Sequence, residues 1–401
     1  IVRVIGIRTS VRLLIISVIH SNTFYIVMKV THIFWSLGFG GIETMLVNIA
    51  NAQAEAGSEV SVLIINELYE QSLVNSLDKR VNLVFLNRKK GAITPWFIVR
   101  LNRILERSKP DVIHLHRSDL YHFVWGKKLK SKVCITLHAL PKGLVRREGV
   151  MHIVWRKIKK RSVLYSNVVD MDRIPHVFTI SEVVQKTLYD NYGVESTVVC
   201  NGIVTSCFVS RPKTMPKGQL RVVMVSRLEH DKKGQDLLIR AAAALQGTVT
   251  VDFIGIGSSM EYLKQLTAEL HAETYVRFLG KQTQDYVAAH LTDYDLFVQP
   301  SRWEGFGLTV AEAMAAGVPV LVSEGQGPAE VTQGSRYGWL FANGDADDLQ
   351  RQIVFIKENY GEAMTKADEA KDYVRNTYDV SVTARAYLQE YEKIVCGCSK
   401  S

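Results

Sequence analysis

The sequence predicts an α/β protein made of two doubly wound domains in tandem. Three observations carry this. Short apolar runs alternate with longer segments of helical period along most of the chain. The runs are close to continuously apolar, as parallel strands covered by helices on both faces must be. The pattern then breaks at a polar stretch with two prolines, residues 209–219, and starts again. A chain of 401 residues, 47% hydrophobic and 22% charged, has the length for two such domains and the composition of a well-cored globular protein.

In the first half, KVTHIFWS reads as a buried strand, Gly38–Gly41 as a turn, and IETMLVNIANAQAEAG as a helix closed by Gly57. Strands EVSVLII, NLVFL, DVIHLH, KVCITLH, HVFTIS and STVVC follow. The second half opens with LRVVMVSRL. Helix GQDLLIRAAAAL, strand VTVDFIGIG, helix SMEYLKQLTAEL, strand VRFLG, helix QDYVAAHL, strand DLFVQPS, helix LTVAEAMAAG and strand VPVLVS continue it. The expected organisation is an extension over 1–27, a first Rossmann-like domain over 28–205, a second over 206–378, and a C-terminal helix with its tail over 379–401 that crosses back to the first domain. Ligands of such sheets bind outside the carboxyl ends of the strands. Two domains facing each other across a cleft are therefore expected to bind between those ends.

The net charge of +9 points to anionic partners. No nucleic-acid recognition module is recognisable, so nucleotides and anionic surfaces come first. Part of the charge lies in a basic stretch, Lys142, Arg146, Arg147, Arg156, Lys157, Lys159, Lys160 and Arg161, with Trp155 among them. An anionic membrane surface is one reading of that stretch and a solvated charged face the other. Five cysteines without a C-x-x-C pair indicate a reducing, cytoplasmic compartment and no zinc site. Residues 1–27 have basic flanks around a short apolar centre, yet no small-residue cleavage site follows. The reading adopted is that the functional chain starts at Met28, with a membrane anchor as the alternative.

The segment QPSRWEGFGLTVAEAMAAGVPVLVS carries the densest chemistry. Glu304 precedes Gly305–Phe306–Gly307, and Glu312 lies in the first turns of the helix that begins near Leu308. A strand, a glycine loop and a helix N-terminus offer free N–H groups to a phosphate or a hydroxyl. The two carboxylates can accept hydrogen bonds from sugar and ribose hydroxyls. This segment resembles the E-x7-E region of the large retaining family of GT-B glycosyltransferases, family four. The resemblance runs from Met28 to about residue 395. It implies transfer of a sugar from a nucleoside-diphosphate sugar to a saccharide or lipid-linked acceptor, with retention of configuration.

The same resemblance assigns roles elsewhere. Arg227, in Ser226–Arg227–Leu228, and Lys233 grip the donor diphosphate, with Lys232 as a substitute for Lys233. Gly40 and Gly41, in the first turn, approach the donor phosphates. His138, at the end of KVCITLH, lies close to the reacting sugar and ranks above His116. Gly257, Gly280 and Lys281 end strands on the donor side, and Gly305, Phe306, Gly307, Leu308 and Glu312 complete the donor site. Gln326, Gly327 and Glu330 are lesser candidates. No cofactor is implied beyond the donor. No metal is either, because two cations and a helix N-terminus already face the diphosphate. Three Asp-x-Asp triplets occur, at 170–172, 293–295 and 345–347. The second reads as a helix–strand junction and the third as a helix cap, and the first has no local role.

Two other enzyme classes compete. A nicotinamide-dependent oxidoreductase would use the first glycine turn with Glu67 as the ribose acid, but Glu43 stands where its third glycine belongs. A non-hydrolysing sugar-nucleotide epimerase would share the architecture. A non-catalytic membrane scaffold would have no need of Glu304, Glu312, Arg227 and Lys233 together.

Overall fold

The computed structural model describes residues 27–397 apart from 39, 90–91, 93–94, 140–170, 213–215 and 217. The basic stretch at 142–161 and all but the last residue of the 1–27 extension lie outside the described residues.

The described chain forms two compact units. One comprises described residues up to Thr179 with Gln185–Val199 and the chain from Thr383, and the other Ile180–Val184 with Cys200–Val382. The first holds strands β1 (Lys29–Phe34), β2 (Glu59–Asn66), β3 (Asn82–Arg88), β4 (Val112–Leu115), β5 (Val133–Leu137), β6 (His176–Thr179) and β7 (Thr197–Val198). Its helices are α1 (Gly41–Glu55), α2 (Gln71–Asn75), α3 (Trp96–Ser108) and α4 (Lys127–Lys130). Helix α5 (Glu182–Tyr192) follows β6, its first three residues counting with the second unit.

The second unit holds β8 (Leu220–Val225), β9 (Val249–Ile254), β10 (Val276–Gly280), β11 (Leu296–Gln299), β12 (Val320–Ser323) and β13 (Trp339–Phe341). Its helices are α6 (His230–Lys233), α7 (Gln235–Ala244), α8 (Met260–Glu269), α9 (Gln284–His290), α10 (Leu308–Ala315), α11 (Gly327–Val331), α12 (Ala346–Glu358) and α13 (Tyr360–Thr377). Helix α14 (Val380–Cys396) closes the described chain.

Both sheets are wholly parallel. Their strand orders are β3-β2-β1-β4-β5-β6-β7 and β10-β9-β8-β11-β12-β13. This is the doubly wound order, in which the chain reverses direction across the sheet at β1/β4 and at β8/β11. The apolar runs lie buried between helices on both faces. In β8, Val222 and Met224 pack into one core and Val223 into the other. In β1, Ile33 and Phe34 divide in the same way. Strand β13 is a strand that sequence reasoning misses, being only the three residues WLF between Gly338 and Asn343–Gly344.

Candidate active site

In the second unit the predicted residues gather at the switch point. The loop after β8 carries Arg227 and leads into α6, whose last residue is Lys233. The loop after β11 carries Glu304 and leads into α10. Lys233 Nζ donates to Glu304 Oε2, and the two side chains are only 13% and 17% exposed. Gly234 makes that meeting possible. Its φ is +70°, and a Cβ there would lie 1.9 Å from the carbonyl oxygen of Pro300. Only glycine lets the α6–α7 corner approach the β11 loop so closely.

Neighbouring bonds fix the same two loops. Arg302 forms a bidentate pair with Asp236 at 2.8 and 2.7 Å and donates to the carbonyl of His230. The Glu304 N–H donates to Gln326 Oε1 at 3.2 Å, and the Gly327 N–H donates to the Glu304 carbonyl at 3.0 Å. Lys232 is placed differently from Lys233. Its ammonium sits 4.6 Å from the centre of the Trp303 ring, and burial lowers its pKa. Arg227 stays 65% exposed beside Glu229, at 3.1 Å, on the same edge of the sheet. Cationic side chains and free N–H groups at one strand end can hold a diphosphate.

The other donor-side residues divide by what they expose. Gly305 is buried, and its carbonyl accepts from Ser181 Oγ at 2.6 Å. Phe306 turns its ring into the core, edge-on to Tyr378 at 5.4 Å, so that only its backbone faces outward chemistry. Gly307 caps α10 with φ +105°, and Leu308 is half-buried at its start. Glu312 is buried one turn into α10, where it accepts from Gln284 Nε2 at 2.9 Å. Burial pushes its carboxyl up to about 7. Gly257 follows β9 against the carbonyl of Leu228. Gly280 ends β10, and Lys281 is exposed beyond it. Glu330 has a separate occupation: its carboxylate accepts from the N–H groups of Glu182 and Val183 and so caps α5.

In the first unit, Gly40 and Gly41 stand at the N-terminus of α1, with the Glu43 carboxylate folded back toward Gly40. His138 follows β5. The resemblance ranked it above His116, and sequence reasoning missed what stands behind it. His32, His114 and His116 are buried on one face of β1 and β4. His32 Nε2 meets Gln53 Oε1 at 2.8 Å, His32 Nδ1 meets His116 Nε2 at 3.0 Å, and His116 Nδ1 meets His138 Nε2 at 3.3 Å. Burial lowers the pKa of all four, His32 to about 4 and His138 to about 3.

Nitrogens of His32, His114 and His116 lie within 4.8 Å of one another, a spacing a metal ion could bridge. Each already has a partner, however. His114 Nδ1 meets the Tyr391 hydroxyl at 2.6 Å and its Nε2 meets Thr136 Oγ1 at 2.7 Å. A metal would have to break these bonds.

The Asp-x-Asp triplets separate as well. Asp293 pairs with Arg211, and Asp295 accepts from the Arg221 N–H. Asp345 caps α12 through the N–H groups of Asp347 and Asp348, both at 2.9 Å. Asp170 lies outside the described residues, and of Asp172 only the backbone in the turn Met171–Arg173 is described. Among the described residues no helix is long and apolar enough to cross a membrane.

Comparison with known proteins agrees with the fold. Residues 209–378 match the family model described as Glycosyl transferases group 1, and residues 39–206 match Glycosyltransferase Family 4. The amylovoran biosynthesis glycosyltransferase AmsK of Erwinia amylovora is 28% identical over 184 residues, covering 44% of this chain and 45% of that protein. The chain thus spans less than half the length of this relative. The 2-deoxystreptamine N-acetyl-D-glucosaminyltransferase of Niallia circulans is 24% identical over 353 residues, covering 80% of this chain and 89% of that protein. HepE of Anabaena, solved in complex with UDP and glucose, shares the fold with a TM-score of 0.70 at 20% identity, covering 91% of this chain and 100% of that one. With each half matching its own model and both sheets in the doubly wound order, the chain belongs to the GT-B glycosyltransferases of the family-four, group 1 type.

Proposed function

We propose that this glycosyltransferase moves a sugar from a nucleoside-diphosphate sugar to a saccharide or lipid-linked saccharide acceptor, with retention of anomeric configuration and without a divalent metal. The observation that carries the reading is the Lys233–Glu304 pair at the β8/β11 switch point, beside Arg227 and the N-terminus of α10. The solved complex of HepE with UDP and glucose supports a nucleotide donor for this fold. On donor binding, Lys233 and Arg227 would face the diphosphate and stabilise the charge that grows on it as the bond to the anomeric carbon breaks. Glu304 would then accept from sugar hydroxyls and Glu312 from ribose hydroxyls. The acceptor oxygen attacks the anomeric carbon from the face the diphosphate leaves, and a phosphate oxygen of the leaving group takes the acceptor proton. A lipid-linked acceptor would bring the chain to an anionic membrane, which the basic stretch at 142–161 suits.

A panel of nucleotide sugars scored by thermal shift identifies the donor, since a ligand of the folded state stabilises it by mass action. Product NMR with that donor is expected to show the donor's anomeric configuration, and turnover is expected to survive EDTA. An inverted product overturns retention. Activity lost in chelator and restored by Mg²⁺ or Mn²⁺ overturns metal independence. Isomerisation of the donor with no acceptor present overturns transfer.

A further inference from the structure

At the amino ends of its strands, away from the donor loops, the sheet of the second unit carries a polar cavity. Gln219, Arg221, Thr250, Thr274, Tyr275 and Arg277 line a space of about 300 Å³. Strand register brings the charged members together. Arg221 stands opposite Thr250, and Asp252 stands between Val223 and Arg277. Residues opposite one another, or two apart along a strand, share a face of the sheet. Arg221, Thr250, Asp252 and Arg277 therefore lie on the face that carries Val223 and Ile254. Helix α9 packs on that face through Val287 and Ala288. Its seven residues make about 10 Å of helix against strands about 20 Å long. The amino ends of the strands extend beyond it, and Arg221 and Arg277 are exposed there.

The cluster holds one acid, and that acid is fully used. Asp252, 3% exposed, accepts from Arg277 Nε and Nη2, each at 2.7 Å, and from the Tyr294 hydroxyl at 2.8 Å. The pair fixes Arg277 by one edge of its fork and leaves Nη1 without an acceptor among the described residues. The Arg221 guanidinium lies 5.2 Å from the centre of the Tyr294 ring and likewise has no acceptor among the described residues. Stacking holds a guanidinium in place without using any of its five N–H groups.

We infer that this cavity is a phosphate site, for free phosphate or the phosphate group of a small ester. Arg221 and the Nη1 edge of Arg277 donate to the phosphate oxygens, and the Thr250 hydroxyl adds a neutral donor. Guanidinium groups are the donors best matched to a phosphate, and such charge-assisted bonds are strong. Folding alone accounts for Asp252, Tyr294 and one edge of Arg277. It gives no use to the donors of Arg221 or to the other edge of Arg277. Nor does it call for a polar cavity on a face that is apolar further along the same strands. The site is distinct from the donor loops. Arg221 opens β8 and Arg227 follows its far end, which at about 3.3 Å per residue sets them more than about 13 Å apart. Nothing in the inference depends on the glycosyltransferase reading.

Titration calorimetry of the full chain at low ionic strength tests it, with inorganic phosphate, ribose 5-phosphate and ribose as the injected probes. Phosphate and ribose 5-phosphate are expected to bind saturably, and ribose not at all. Lys233→Ala weakens any phosphate held at the donor loops and should keep this binding event. Arg221→Gln leaves the Asp252–Arg277 pair whole and should weaken the event at least about tenfold, the worth of one charge-assisted hydrogen bond. Thr250→Val is close in shape, changes no charge and should weaken it several-fold. Melting curves are expected to show both variants folded.

Tighter binding of ribose 5-phosphate than of phosphate assigns an ester as the occupant, and equal binding assigns free phosphate. The inference stands in both cases. An isotherm that Lys233→Ala abolishes places the anion at the donor loops and overturns it. So does an isotherm that Arg221→Gln leaves unchanged, and if that variant does not fold, Thr250→Val decides in its place. A wild type without saturable heat up to about 10 mM phosphate, an affinity too weak for a built site, overturns it as well. A protein that binds phosphate here but transfers no sugar would keep the site and sink the glycosyltransferase reading alone.

Discussion

Lys232 and Lys233 show how much one position along a short helix decides. Both lie at the end of α6, yet Lys233 reaches Glu304 while Lys232 rests on the Trp303 ring. The sequence offers both as the diphosphate cation, and only the geometry of the Gly234 corner separates them. Lys233→Ala is expected to lower kcat by about 100- to 1,000-fold, the usual cost of removing one oxyanion-stabilising donor. Arg227→Ala should act in the same direction. Lys232→Ala should cost about 0.5–1 kcal/mol of stability, as a partly exposed cation–π contact does, and leave turnover near that of the wild type. Steady-state kinetics beside a melting curve separates the two. Equal losses of turnover in the Lys232 and Lys233 variants would show that the corner does not choose between them. Glu304 and Glu312 were singled out by the strand–loop–helix–strand context of their segment rather than by their spacing alone. That Glu312 is buried against Gln284 was not, because burial depends on which face of α10 meets the core.

At the scale of elements, the strands and most helices were readable because parallel strands buried on both faces make continuous apolar runs. The positions of Glu330 and Ser181 were not readable, since their partners are far away in sequence. Glu330 looks like a site acid and serves as the cap of α5, accepting from Glu182 N–H at 2.8 Å and from Val183 N–H. Ser181 accepts from the Val184 N–H at 3.1 Å and donates to the Gly305 carbonyl, so the start of α5 and the Glu304 loop hold each other. Glu330→Ala should destabilise the protein by about 1–2 kcal/mol, the ordinary value of a lost N-terminal cap. Glu330→Gln, which keeps an acceptor oxygen, should recover part of that. Denaturant midpoints measure it, and a Glu330→Ala protein as stable as the wild type would return this residue to the list of site candidates.

For the molecule as a whole, acid should act on the two units in opposite directions. All four buried imidazoles, His32, His114, His116 and His138, belong to the first unit. Burial holds their folded pKa values below the 6.5 of an unconstrained histidine, at about 4 for His32 and about 3 for His138, and well below 6.5 for His114 and His116. Below pH 6.5 the unfolded chain therefore binds protons that the folded chain refuses. Stability falls as pH falls, by about 1.4 kcal/mol per pH unit for each histidine while its two pKa values bracket the pH. Glu312 and Glu330 belong to the second unit and are shifted the other way. Burial raises the Glu312 carboxyl from 4.5 to about 7 and raises that of Glu330 as well. There the folded state holds protons that the unfolded state has released, so stability rises as pH falls from about 7 toward 4.5. Calorimetry between pH 7.5 and 5 is expected to show the transition of the first unit moving to lower temperature while that of the second holds or rises. Replacing His32 with Asn should reduce the first shift without touching the second. A melting profile that is flat over this range would mean that the histidine cluster takes up protons without unfolding. Its hydrogen bonds would then have to survive with charged rings, which the nitrogen-to-nitrogen contacts of His116 with His32 and His138 do not allow.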